Sequence, residues 1–93
     1  MNETTPRPTV IAAAIKDDTG AVWSVPRPGR HHNVIKYMRD SGYLGPVGGS
    51  RQGFVLSDGS FCGRVEAKNV AVEAGQIISG RITTGMLMSE DVW

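Results

Sequence analysis

Apolar residues in this chain fall in short runs separated by turn-forming clusters, and the runs have two different periods. Thr9-Val10-Ile11-Ala12-Ala13-Ala14-Ile15 reads as a strand from its Thr, Val and Ile content, diluted by three alanines. Asp17-Asp18-Thr19-Gly20 is a strong turn signal, and Ala21-Val22-Trp23-Ser24-Val25 reads as the return strand of a hairpin. From Arg30 or His31 the spacing becomes helical: Val34, Ile35 and Met38 form an apolar stripe with His31 one turn earlier. The helix runs to Ser41 and stops at Gly42.

The same sequence of elements is expected again. Tyr43 to Gln52 is a Gly/Pro-rich loop, followed by a short strand over Gly53–Leu56. Asp58-Gly59 is the best hairpin-turn dipeptide in the chain, with Ser60–Cys62 as the return strand. A second helix is expected from about Arg64 to Ala74, stopped by Gly75, with Ala67, Val70, Ala71 and Ala74 turned inward. Those alanines imply close packing against something flat, such as a sheet. Ile77-Ile78 is read as a short strand or as anchors, Ser79-Gly80 as a turn, and Met86–Met88 as an apolar segment. Trp93 is too large an apolar area to leave exposed and is expected to dock into the core or a partner chain. The predicted fold class is α+β: two β-hairpins with two helices in β-β-α-β-β-α order, a loose tail over residues 1–8 and a single compact domain over 9–93.

Composition narrows the function. A chain of 93 residues, 12 of them Gly and only 6% aromatic, favours a domain that gains stability by self-association. The formal net charge of +1 argues against a polyanion binder. The charge is uneven, with seven Lys/Arg against four Asp/Glu in residues 1–51 and three against five in residues 52–93. That predicts a mild basic patch and makes nucleic acid an improbable partner. Cys62 is the one cysteine, so no intrachain disulfide forms and a reducing compartment fits. No apolar run approaches the ~20 residues of a membrane span, and the start MNETTPRP lacks a signal pattern.

Candidate chemistry concentrates in two places. Arg27, Arg30, His31 and His32 crowd the junction of a Pro/Gly turn and a helix start. Cations there oppose the helix dipole but suit a phosphate or carboxylate held against the helix end. The prolines would pre-order the turn. The alternative is a solvated basic turn with His31 packed on Val34 and Ile35. Arg51, Phe54, Arg64 and Arg81 form the second cluster, a ring among guanidinium groups suited to a base and its phosphates. Its alternative is a core Phe54 with surface arginines. Trp23 and Trp93 are large enough to stack on a base, and Asn69 and Gln76 can read a base edge. No metal site is expected: His31 and His32 are adjacent on a helix and point about 100 degrees apart, and neither HExxH nor CxxC occurs. No nucleophile motif, GxGxxG or P-loop occurs either, so no enzyme activity and no cofactor are expected.

The blocks VPRPGRHHNVIKYM, QGFVLSDGSFCGRVEA, EAGQI and LMSEDVW resemble a set shared by small phage-encoded sponge proteins that act against Thoeris immunity. The resemblance covers more than half of the chain. It implies a non-enzymatic protein of the host cell cytoplasm that sequesters a cyclic ADP-ribose isomer intact. Some similar sponges also take up cyclic oligonucleotides at a separate site. It further implies a homo-oligomer, dimer or higher, with ligand sites near chain–chain contacts. By position, it places a ligand-stacking aromatic at Phe54, a polar contact near Gly63 or Arg64, and an arginine at Arg81. The RPGRHH segment would serve that site or a second one. The competing reading is a small nucleic-acid-binding or protein-interaction module of phage origin.

Overall fold

A computed structural model describes residues 7–78 and 85–93. Four strands form one antiparallel sheet: β1 (Val10–Lys16), β2 (Val22–Pro26), β3 (Gln52–Leu56) and β4 (Phe61–Gly63). Two ten-residue helices follow the hairpins, α1 (His31–Asp40) and α2 (Arg64–Glu73). The order β-β-α-β-β-α and the α+β class are those expected from the sequence.

The strand order is β2-β1-β3-β4, so the two hairpins join through their first strands and each β-β-α unit mirrors the other across the β1–β3 seam. Ala13 faces Val25 on one side and Phe54 on the other, and Ile15 faces Trp23 and Gln52. Period-two alternation therefore puts Ala13, Ile15, Phe54 and Cys62 on the face that the helices cover. Near Val10 the β1–β3 register shifts. The main chain freed there is met by a side chain: Gln76 accepts from Val10 N at 2.7 Å and donates to Val10 O at 2.9 Å. Gln76 is thus a surrogate strand residue, with its amide occupied and unable to read a base.

The helices lie against the sheet as their stripes predict. Val34 and Met38 of α1 are fully buried, with Ile35 packed beside them. Ala67 and Ala71 of α2 are fully buried, and their small side chains bring the α2 backbone close to the strands. Gly42 (φ 98°) and Gly75 (φ 68°) occupy the left-handed positions that end the two helices.

Several details differ from expectation. The apolar segment Met86–Met88 buries only Leu87, while Met86 and Met88 are exposed. Ile77-Ile78 is an anchor rather than a strand, with Ile77 on the core and Ile78 N donating to Asp91 O at 2.8 Å. The long loop tightens into a 3-10 turn at Gly49–Arg51. Of the expected tail, residues 1–6 lie outside the described residues, as do the Ser79-Gly80 turn and Arg81. Arg7, in contrast, pairs with Glu73 at 3.4 Å.

The first hairpin closes on one carboxylate. Asp17 Oδ1 accepts from Thr19 N, Thr19 Oγ1 and Ala21 N, and Oδ2 accepts from the Trp23 indole at 2.8 Å. The Thr19 hydroxyl and then the Trp23 indole are the main reasons its pKa falls from 3.8 to about 2. A depressed acid stabilises the fold above its unfolded pKa, and that stabilisation is lost as pH falls through the folded value. Urea midpoints are therefore expected to drop between pH 4 and pH 2, and Asp17→Asn is expected to be less stable at neutral pH with a flatter acid limb. Parallel acid limbs in the two proteins would contradict this role.

Candidate functional site

The turn before α1 holds its basic residues in working contacts within the chain. Arg30 is the N-cap of α1, a position for which a guanidinium has no acceptor atom. Asn33 compensates by accepting from Arg30 N at 2.8 Å through Oδ1. The freed guanidinium reaches the far end of the chain. Its Nη2 donates to the Trp93 main-chain oxygen at 2.7 Å and its Nη1 to Ser89 Oγ at 3.3 Å. Arg27 lies over the Trp93 indole at 5.9 Å, and the indole N–H donates to Gly29 O at 2.9 Å. Trp93 docks in its own chain, as one of the two expected outcomes.

His31 and Phe54 belong to the same junction. His31 Nε2 lies 2.8 Å from Gly53 O, and a carbonyl can only accept, so Nε2 carries the proton. Its ring meets Phe54 edge-on at 5.0 Å, and Phe54 meets Trp93 edge-on at 6.2 Å. Burial pushes the His31 pKa below 6.5, and the Arg64 charge acts in the same direction against the opposing Gly53 hydrogen bond and Glu90 charge. This corrects the expectation that His31 adds positive charge for an anion: it is held neutral with its N–H engaged. Phe54 needs a correction too. Its ring is 0% exposed, so no face is free within the chain to stack on a ligand. His32 is exposed.

The second expected cluster divides. Arg64 opens α2, with Nη2 donating to Gly49 O at 3.2 Å and Nη1 to Gln52 Oε1 at 3.4 Å. It lines an open pocket of about 640 Å³ between the Gly49–Arg51 turn and the first turns of α2. Ser50, Gln52, Glu66 and Asn69 supply polar groups, and Val65 and Met86 supply an apolar wall. The α2 N-cap is Gly63, which makes no side-chain cap. A Cβ added at Gly63 would meet nothing within 4 Å, so the pocket is open directly above the helix start. Arg51 lines the adjoining cavity on the other side of the Gly49–Ser50 turn and is not part of the Arg64 pocket's own lining.

This arrangement can hold a small molecule with one anionic group. Arg64 and the positive end of α2 attract the anion. Glu66 and Asn69 can accept from or donate to hydroxyls and amines, and Val65 with Met86 can cover one face of a ring. Cys62 sits beneath as a protonated thiol, because burial first and the Glu66 and Asp58 charges second raise its pKa to about 11. Nothing local to Asn69 prefers it; its i+4 spacing from Val65 and i+3 spacing from Glu66 on one face of α2 is the signal that could have found it. Ser50, Gln52 and Met86 carried no local signal, because the loop and the C-terminal segment meet α2 only through the fold. Trp23 packs edge-on against Tyr37 at 5.3 Å with its N–H on Asp17, which leaves it a structural residue.

A protein-family model described as Phage T4 y16D protein matches residues 9–93. Neither a curated protein nor a solved structure matches the chain.

Two measurements check these assignments. Phe54→Ala is expected to lower folding stability by about 3–5 kcal/mol in denaturant titrations, the usual cost of truncating a buried aromatic; a change near zero would return Phe54 to the ligand site. The His31 imidazole is expected to titrate below 6.5 by NMR, with the proton on Nε2. Its share of stability is then complete above 6.5 and lost as pH falls through the folded value. A midpoint above 6.5 would mean that the ring is not desolvated.

Proposed function

The chain belongs to the phage T4 y16D protein family, and we propose that it binds a cyclic nucleotide signal intact in the Arg64 pocket and so withholds it from host antiviral defence. The observation that carries this reading is the pairing, in one open cavity of about 640 Å³, of a guanidinium with an apolar wall. That volume suits a nucleotide-sized guest. Arg64 takes a phosphoryl oxygen, Val65 and Met86 cover the base, and Glu66 or Asn69 takes a ribose hydroxyl or exocyclic amine. A cyclic ADP-ribose isomer is the ligand that the sequence resemblance implies.

Retention without turnover is part of the proposal. Cys62 is buried and protonated, and His31 is tied to Gly53 O, so neither is poised to attack or to accept a proton from a guest. We also propose that copies assemble around the pocket. Val65 and Val72, seven residues apart on one face of α2, are 62% and 54% exposed, an apolar stripe beside the cavity mouth. The proposed setting is the host cytoplasm; among the described residues no helix is long and apolar enough to cross a membrane.

Calorimetric titration with cyclic ADP-ribose isomers tests the reading. Arg64→Gln is expected to weaken binding by about tenfold, the worth of one charge-assisted hydrogen bond. Gly63→Leu, whose side chain would fill open space at φ −70°, is expected to block binding while leaving the fold unchanged. Heating the complex should release the ligand with its mass unaltered. Undiminished affinity in both variants, or release of a cleaved product, would refute the proposal. Binding to duplex or single-stranded nucleic acid that falls steeply with salt would favour a nucleic-acid module in its place.

A further inference from the structure

A second cavity, of about 450 Å³, lies on the other side of the Gly49–Arg51 turn. Gly49 and Ser50 line both cavities, so the turn is a shared wall between them. The two differ in chemistry. The Arg64 pocket has a mainly apolar lining, whereas the second is mainly polar and contains Lys16, Asp17 and Arg51.

The charge inside the second cavity is more one-sided than its composition suggests. Both Asp17 oxygens are occupied by donors from Thr19, Ala21 and Trp23, and the residue is buried, with only 6% exposed. Its oxygens are therefore already engaged, and neither Lys16 nor Arg51 is hydrogen-bonded to them. Lys16 is exposed and Arg51 half-buried, and among the described residues neither side chain has a hydrogen bond or an ion pair. Lys16 Nζ instead hovers 5.8 Å from the Phe61 ring centroid, a contact that leaves its N–H donors available. Two cations against one carboxylate whose oxygens are already filled leave this polar concavity net positive, which raises the local potential for an anion. A cavity of this size with a mainly polar wall suits a compact, multiply charged group better than an aromatic ring.

We propose that the Lys16–Arg51 cavity is a phosphoryl subsite, in which the Lys16 ammonium and the Arg51 guanidinium hold a phosphate oxygen each and the Ser50 hydroxyl donates a third hydrogen bond. Phosphoryl binding by the two cations stands on the cavity itself; that the group belongs to a guest also seated in the Arg64 pocket rests on the nucleotide reading above. In that case the ring lies on the Val65 side of the Gly49–Ser50 wall and a phosphoryl group lies on the Lys16 side. Lys16 was not among the residues singled out from sequence, because nothing local to the end of β1 announces that a loop more than thirty residues away will enclose it.

Amide chemical shifts of the full chain, followed while inorganic phosphate is added at constant ionic strength, test the subsite. Saturable shifts are expected at Gly48–Arg51. Lys16→Gln and Arg51→Gln are each expected to weaken phosphate by roughly twofold to fivefold, a surface charge contact's worth. Both substitutions are at side chains without partners among the described residues, and undisturbed shifts elsewhere report that the fold is kept. Absence of saturable shifts, or shifts that survive in the Lys16→Gln/Arg51→Gln double variant, would overturn the proposal. Adenosine in a parallel titration reads the Arg64 pocket alone. Its failure to perturb Val65 and Asn69 would count against the nucleotide reading while leaving the phosphate result standing. Adenosine monophosphate binding at least tenfold more tightly than phosphate supports one guest across both cavities, and equal affinity supports a subsite for free phosphate.

Discussion

The structure depends on a junction at the start of α1, where the chain's last residues and the middle of its sheet are held together. Arg30 clasps the Trp93 main chain and Ser89, the Trp93 indole returns a hydrogen bond to Gly29, and His31 reaches Gly53 O across the Phe54 ring. Each of these contacts spans more than twenty residues of sequence. A small domain with few large side chains has limited apolar area to bury. Long-range polar contacts that also seat two aromatic rings add cohesion that the alanine-rich β1 and α2 cannot supply. Burial of His31 disfavours its charged form, and the guanidinium of Arg30 must find acceptors, which the C-terminal segment provides.

That constraint decides where function is available. Basic and aromatic residues near a helix start suggest anion recognition, yet at α1 the Arg30 and His31 side chains are spent on Trp93, Ser89 and Gly53 O. At α2 the N-cap is a bare glycine and space stands open above it. The two β-β-α units are alike in topology and opposite in use. In one, the basic side chains before the helix hold Trp93; in the other, the helix start faces an open pocket with Arg64 at its rim.

Much of the fold was legible in the sequence. The turn signals at Asp17–Gly20 and Asp58-Gly59 place both hairpins, and the Val34/Ile35/Met38 stripe with Gly42 bounds α1 to within a residue or two. These are local properties, dictated by backbone conformation and by which side chains share a face. The β1–β3 seam was not legible, since pairing between distant strands depends on packing that no window of residues contains. The same limit applies to the site. Arg64 and its pocket could be approached from the helix start, but the burial of Phe54, the neutrality of His31 and the separation of Arg51 from Arg64 all come from chain segments meeting in space. Lys16 and Met86 are visible only once the loop and the C-terminal segment have closed on the sheet.

The central claim is that binding belongs to the α2 start while the α1 cluster serves the fold. Mapping amide perturbations on adding a cyclic ADP-ribose isomer tests it most directly. The account predicts a contiguous response over Gly49–Gln52 and Gly63–Asn69, with His31–Val34 unmoved. A response centred on Arg27–His32, with the α2 start silent, would contradict it.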